Sequence, residues 1–263
     1  MSDKHTDKTG ASRRPQVALF VTCLADLFRP SVGFASLRLL QRAGCEVSVP
    51  RQQTCCGQPA YNTGDYEASV PLAQRTIAML EYADYVVLPS GSCAGMICHH
   101  YPQLLEGQWR ERAVDLAART FELTAFLHDI ARFRRGTAAP LQLPAVAYHD
   151  SCAGLRELGI REQPRALLES LCATRVSELE QRDVCCGFGG TFCAKMPEIS
   201  GKMADDKLAD ALATGADILA GGDLGCLLHL AGRARRLGQA IDVRHVAELL
   251  AGELDEPAIG RGK

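Results

Sequence analysis

Two stretches of the chain, QQTCCGQPAYNTG from Gln52 and RDVCCGFGGTF from Arg182, each set two adjacent cysteines directly before a glycine. With 12 Cys and 24 Gly in 263 residues, chance supplies about 0.05 such triplets, so two of them ask for a chemical reason. Thiolates bind metals, carry redox chemistry or pair as disulfides. Neighbouring side chains on an extended strand point to opposite faces, so two adjacent thiolates reach one centre only through a sharp turn. Gly57 and Gly187 permit that turn, because a residue without Cβ takes positive φ at little cost.

The triplets belong to a longer register. Cys23, Cys55, Cys56 and Cys93 recur as Cys152, Cys185, Cys186 and Cys226 at offsets of 129 to 133 residues. The dipeptide Ala83-Asp84 precedes Cys93 at the same distance as Ala216-Asp217 precedes Cys226. A near-constant offset is the mark of an internal duplication. Cys45 opens a strand and Cys172 ends a helix, outside the register, and both read as small core residues. Cys98 and Cys193 lie near register cysteines without belonging to the set, and the frequency of buried inert thiols weighs against each as a ligand.

The elements that must position these thiols alternate. QVALFVTC, CEVSVP and DYVVLPSGSC read as strands, with helices from Pro30 to about Gly44 and from about Asp65 to Ala83. After the link RRGTAAPLQLP the order returns: AVAYHDSC, a helix near Pro164 to Leu171, TRVSELE, a helix from Pro197 toward Thr214, and ADILAGGDLGC. Alternating strands and helices predict an α/β fold of two similar Rossmann-like halves, each a mainly parallel sheet flanked by helices. The expected division is a flexible tail over residues 1–15, a first CCG repeat over 16–135, a linker over 136–144 and a second repeat over 145–263. In such sheets the residues just past the strand carboxyl ends gather on one rim, so each half should collect four thiols there.

Composition narrows the classes. A net charge of -2 and the absence of a basic stripe interleaved with aromatics argue against nucleic acid as a partner. No apolar run reaches the ~18 residues that span a bilayer, so the chain is not expected to be transmembrane, and MSDKHTDKTGASRRPQ lacks the apolar segment of a secretory signal. A cytoplasmic protein is expected, in a compartment that disfavours structural disulfides. No G-x-G-x-x-G follows a strand and no P-loop is present, so the chain shows no nucleotide or flavin site of its own.

That leaves metal. Four thiolates suit zinc, but structural zinc sites usually present C-x2-4-C pairs, whereas here each vicinal pair stands far from its other partners. Iron-sulfur clusters take four Cys thiolates at varied spacing. The spacing therefore favours an iron-sulfur cluster, with zinc as the alternative, and four thiols per half are enough ligands for one 4Fe-4S cluster in each. Glycines 57, 187, 189 and 190 could also aim backbone N–H groups at sulfur and raise a cluster's potential.

Together with the two CCG stretches, ALFVTCLADLFRP, DYVVLPSGSCAGM, HDSCAGLRELGI and GGDLGC resemble the CCG-domain iron-sulfur proteins, from about Val17 to Leu250. The likeness is closest to the lactate-utilization branch, and more distant to the iron-sulfur subunit of glycolate oxidase and the B subunit of heterodisulfide reductase. It implies an electron-transfer subunit, an oxidoreductase component acting only in complex with sister lactate-utilization proteins (iron-sulfur and accessory subunits) that together oxidise L-lactate to pyruvate. It also implies one site at Cys23, Cys55, Cys56 and Cys93 and a second at Cys152, Cys185, Cys186 and Cys226. In the fullest family motif the last cysteine opens a C-x-x-C pair, where this chain has Met96 and His229. Four thiols per half remain enough for an ordinary four-iron cluster.

The other polar residues give weaker signals. His149 and Asp150, just before Cys152, could form a proton relay or support the second site, though a lone His-Asp pair more often hydrogen-bonds its own turn. His229 could stand in for the missing thiol. His99 and His100 are expected to face solvent or pack on Tyr101 and Pro102, and the charges of RERAVDLAAR to form a solvated helix face. Ser90, Ser92 and Cys93 come with no His and orienting acid that would make a nucleophile. Two further readings stay open: a scaffold module whose cysteines hold zinc or remain free, and a CCG-type thiol-disulfide reductase subunit using the strained vicinal pair.

Overall fold

In a computed structural model of the chain, which describes residues 13–134 and 139–262, eight short strands form two four-stranded parallel sheets. The first holds β1 (Gln16–Leu19), β2 (Glu46–Ser48), β3 (Tyr85–Leu88) and β4 (Thr120–Glu122) in the order β2-β1-β3-β4. The second holds β5 (Val146–His149), β6 (Val176–Ser177), β7 (Ile218–Gly221) and β8 (Asp242–His245) in the order β6-β5-β7-β8. Residues 1–12 of the expected 1–15 tail, residues 135–138 at the start of the expected 136–144 linker, and residue 263 lie outside the described residues.

The two sheets repeat in register as well as in order. Val17 pairs with Tyr85 in the first, and Val146 with Ile218 in the second. The aspartate that precedes each of these third strands also plays the same part. Asp84 accepts the Gln16 N–H at 2.8 Å and Asp217 the Ala145 N–H at 3.3 Å, so each carboxylate pins the start of the first strand of its half. The central strands are short and mostly apolar because helices cover both faces: Val17, Ala18 and Leu19, and all four residues of β5 and β7, are buried.

The helices form where the apolar spacing asks for them. Pro30–Arg42 opens on a proline at its first turn and buries Val32, Ala35, Ser36, Leu39 and Leu40, one stripe at helical period. That stripe packs on the helix Val246–Ala251 of the second half, and one apolar core runs through both halves. Arg29 donates to Glu248 at 2.7 Å, with Ser31 on the same oxygen, so the buried carboxylate is paired across the seam.

Both sheets have the order in which connections leave the two central strands in opposite directions. The crevice beyond the carboxyl ends of β1 and β3, and of β5 and β7, is where an open α/β sheet accepts a ligand. Cys23 and Cys93 follow the first pair of strands, Cys152 and Cys226 the second, and the CCG corners follow β2 and β6.

Candidate metal centres

In the first half each cysteine is held by its own local device. The Gln53 side chain accepts from the Val21 N–H and donates to the Leu19 carbonyl, both at 2.8 Å, acting as an extra rung beyond β1 and fixing the loop into Cys55. Thr22, at φ 77°, is a β-branched residue in a conformation it seldom adopts, at the point where the chain turns into the helix Cys23–Phe28. Gly57 turns the corner at φ +87° and its N–H donates to Cys55 Sγ at 3.4 Å. The buried Tyr101 hydroxyl donates to the Cys56 carbonyl at 2.7 Å, and Ser90 caps the next helix by accepting from the Cys93 N–H at 3.3 Å.

The second half repeats the plan with other residues. Ser151 caps the helix Cys152–Arg156, and Asp223 caps the helix Leu224–Arg236 that carries Cys226. Gly187, again at φ +87°, donates its N–H to Cys185 Sγ at 3.3 Å. The Ser200 hydroxyl donates to the Gly187 carbonyl at 2.8 Å, doing for this corner what Tyr101 does for the other.

The result is two strings of sulfur contacts, Cys23 to Cys55 to Cys56 to Cys93, and Cys152 to Cys185 to Cys186 to Cys226. Cys56 and Cys93 sulfurs are 3.4 Å apart, and all twelve cysteines are free thiols. In each string one sulfur accepts hydrogen bonds from two of its neighbours. Donation from Cys23, then Cys56 and the Gly57 N–H, holds Cys55 down at about 3. Cys152, Cys186 and the Gly187 N–H hold Cys185 at about 2. Their donors move the opposite way, Cys56 and Cys186 being pushed up by those same contacts and by burial. Accepted hydrogen bonds thus favour the thiolate, the form that ligates metal, at Cys55 and Cys185.

The two sets face one another across the seam. Each opens on a cavity of about 190 Å³, and the cavities share a wall made by Gln58, Ser92, Phe188, Gly190 and Asp223. Asp223 ties that wall together: its Oδ2 accepts from the Ser92 N–H at 2.9 Å and the Ser90 hydroxyl at 3.2 Å, and its backbone bridges Ser90. The helices carrying Cys93 and Cys152 touch at Gly91 and Gly154, where a Cβ on Gly91 would stand 3.0 Å from Gly154 backbone atoms.

Four thiols per cavity, with the corner N–H groups on sulfur, are a donor set that fits an iron-sulfur cluster. The 3.4 Å approach of Cys56 to Cys93 is tighter than the roughly 3.8 Å that two thiolates at about 2.3 Å from one tetrahedral ion keep. A cluster would need its thiolates to move apart into the adjoining space.

Several polar residues sit elsewhere than the sequence suggests. His149 does not bond its own turn: both ring nitrogens are buried without a partner, and the ring atoms lie within 4.8 Å of Cys186 and Cys226 sulfur. Burial, then the charge of Lys207, takes His149 down to about 4. Asp150 pairs instead with Arg165, at 2.8 and 2.9 Å. His229 does not point its Nε2 at the thiols, because that atom lies 3.2 Å from Ser200 Oγ; it supports the Gly187 corner through Ser200. Among the other histidines, His99 is exposed as expected, whereas His100 stacks on Tyr61 and pairs with Glu157 of the second half. The helix Gly107–Ala117 is not merely solvated, since Arg112 grips Glu81 by two bonds and Arg119 caps the carbonyls of Glu81 and Ala83. Cys45 and Cys172 are core residues. Cys98 points at the Thr120 carbonyl, with burial pushing its thiol up to about 12, and Cys193 at the Gly190 carbonyl. Gln53, Tyr101, Ser200 and Asp223 were not singled out by sequence reasoning, although Gln53 stands only two residues before Cys55.

This architecture of paired parallel sheets with a cysteine corner in each half is that of a duplicated cysteine-rich module. The chain belongs to the CCG cysteine-rich domain family, which it matches over residues 17–98 and again over 146–231. It is 46% identical over 237 residues to Lactate utilization protein A of Halalkalibacterium halodurans, covering 89% of this chain and 96% of that protein. Lactate utilization protein A of Bacillus thuringiensis is likewise 46% identical over 238 residues, 89% of this chain and 98% of that protein. Among solved structures, an aspartate racemase homologue from Pyrococcus horikoshii superposes with a TM-score of 0.34 and 9% identity over 91% of this chain and 97% of that one. A likeness that faint carries no argument.

Proposed function

We propose that the chain is the iron-sulfur electron-transfer subunit of a cytoplasmic multi-protein system that oxidises L-lactate to pyruvate, working with sister lactate-utilization proteins. The observation that carries this reading is the pair of four-thiol sets facing each other across one shared wall. The end-to-end similarity to the Lactate utilization protein A chains supports the substrate class. When bound, a cluster in each set would accept and release single electrons.

The chain's own residues then do three things. Gly57 and Gly187 aim N–H groups at Cys55 and Cys185, favouring added negative charge at the sulfurs. Tyr101 and Ser200 hold the corner carbonyls, so the thiols keep their places as charge comes and goes. Gly91 and Gly154 let the two cysteine-bearing helices approach, which shortens the path between the sets.

The test is iron, acid-labile sulfide and zinc per chain on protein purified without oxygen, with visible spectra before and after dithionite. About eight iron and eight sulfide, and a band that bleaches, are expected. A colourless chain with two zinc ions would overturn the reading and favour a scaffold module that holds zinc in its thiol sets.

A further inference from the structure

The two halves can be laid on each other through their strands and corners. The strand register sets Val17 against Val146, and so places Phe20 where the second half has His149. The corner glycines extend the match into the following helices. A Cβ on Gly57 would meet Ser69 and Leu72, and one on Gly187 would meet Ser200 and Met203, which sets Thr76 against Lys207. Phe20 is fully buried among Cys56, Met96 and Tyr101. His149 is equally buried, but it brings two ring nitrogens with no hydrogen-bond partner into a place where its counterpart brings only carbon.

An unpartnered buried polar group costs free energy that a folded chain does not retain without reason. Here the ring atoms lie within 4.8 Å of Cys186 and Cys226 sulfur, and the three groups are mutually close enough to share one ion. A ring this deep enters the site as neutral imidazole, the form that ligates. His229, the other candidate nitrogen, is already engaged by Ser200.

We infer that the two centres are chemically unequal, and that His149 supplies a nitrogen ligand to the second one, which the first lacks. The inference rests on the proposed iron-sulfur reading. A neutral imidazole that takes the place of one of the four thiolates, whose cysteine then keeps its proton, leaves the centre one charge less negative, which raises its reduction potential. Buried Lys207, in place of Thr76, acts in the same direction by setting a cation beside Cys186 and Cys152. The second centre is therefore the better electron acceptor of the two.

The experiment is pulsed EPR on the full chain, purified anaerobically, labelled with 15N-histidine and reduced stepwise with dithionite. The wild type is expected to show a histidine nitrogen coupling of directly bound strength on one of two signals, the one that appears first as the potential falls. His149→Phe, which copies the first half, is expected to lose the coupling and shift that signal to lower potential, while His229→Gln keeps both. Iron with no histidine coupling in the wild type, or a coupling that survives His149→Phe, would overturn the inference and leave the electron-transfer reading intact. Absence of iron would overturn that reading itself. If His149→Phe fails to fold, the labelled wild type and His229→Gln decide between the two rings.

Discussion

The corner glycines look interchangeable in the sequence, but substituting each by alanine should have unequal effects. Both sit at φ +87°, so alanine at either position takes on left-handed backbone strain of about 1–2 kcal/mol. At Gly57 the new methyl would meet Leu72 Cβ at 3.5 Å and the Ser69 carbonyl at 3.6 Å, ordinary contacts that add little. At Gly187 it would stand 2.6 Å from the Ser200 carbonyl oxygen and 2.9 Å from Met203 Cβ. Backbone cannot yield as a side-chain tip can, so the helix Pro197–Ala213 must shift, adding roughly 1–3 kcal/mol of overpacking. That shift also strains the Ser200 bond to Gly187 and the Ser200–His229 contact. Gly57→Ala should therefore cost about 1–2 kcal/mol and Gly187→Ala about 2–5 kcal/mol. Urea unfolding of the reduced, anaerobically purified proteins measures both, and metal content should fall in Gly187→Ala at the second centre alone. Equal losses of stability in the two variants would refute the argument, because strain at positive φ would then be the whole effect.

Three further outcomes follow from buried charge. Arg29→Met leaves Glu248 buried and unpaired at the seam and should cost about 3–5 kcal/mol in urea unfolding; a loss below about 1 kcal/mol would show the pair to be solvated. Burial, with the charge of Asp223 adding to it, raises Glu122 from 4.5 to about 7 despite bonds from Thr124 and Ala125. The native protein therefore keeps that proton where the unfolded chain has released it, and stability should fall as pH rises from about 4.5 to about 7, by roughly 3 kcal/mol. In Glu122→Gln this part of the slope should vanish, and identical pH profiles for the two proteins would contradict it. Lys207→Met removes the cation beside Cys186 and should lower the potential of the second centre only, read by a redox titration followed by EPR; an unchanged potential would mean that Lys207 serves only its bond to the Gln181 carbonyl.

The parts of the fold that were legible in the sequence are those with one physical cause. The helices Pro30–Arg42 and Pro197–Ala213 each open on a proline, the first with a mainly apolar buried stripe, and they stand where the sequence places them. β4 and β8 were missed because Thr-Phe-Glu and Asp-Val-Arg-His do not look like buried strands. Their polar ends are nevertheless buried: Glu122 and His245 lie at the seam, where His245 reaches the Pro89 carbonyl and Glu122 bonds Thr124. His245 is satisfied by the other half of the molecule and Glu122 by the helix that follows it, so neither strand carries a hydrophobic signal of its own burial. The π-helical turn Met96–His100 after Cys93 was equally hidden, since the matching stretch after Cys226 runs on as α-helix.

A duplicated chain contains its own comparison, and this shows where the sequence could have said more. The cysteine offsets reveal where the halves agree, which is what any thiol site of this type requires, and so they say little about what distinguishes one site from the other. The informative positions are those where the register holds but the chemistry changes: Phe20 against His149, and Thr76 against Lys207. In the linear sequence these substitutions look like ordinary drift, because nothing local shows that Thr76 and Lys207 sit on the helix behind a thiol corner or that His149 ends a strand beside two sulfurs. Packing turns them into chemistry. A buried imidazole and a buried ammonium beside one set of thiolates, against a phenyl ring and a hydroxyl beside the other, give two centres unequal electrostatics on the same backbone. Two identical centres could exchange an electron with no preferred direction, so on the proposed reading the direction of electron flow is set by these two pairs of residues rather than by the eight cysteines.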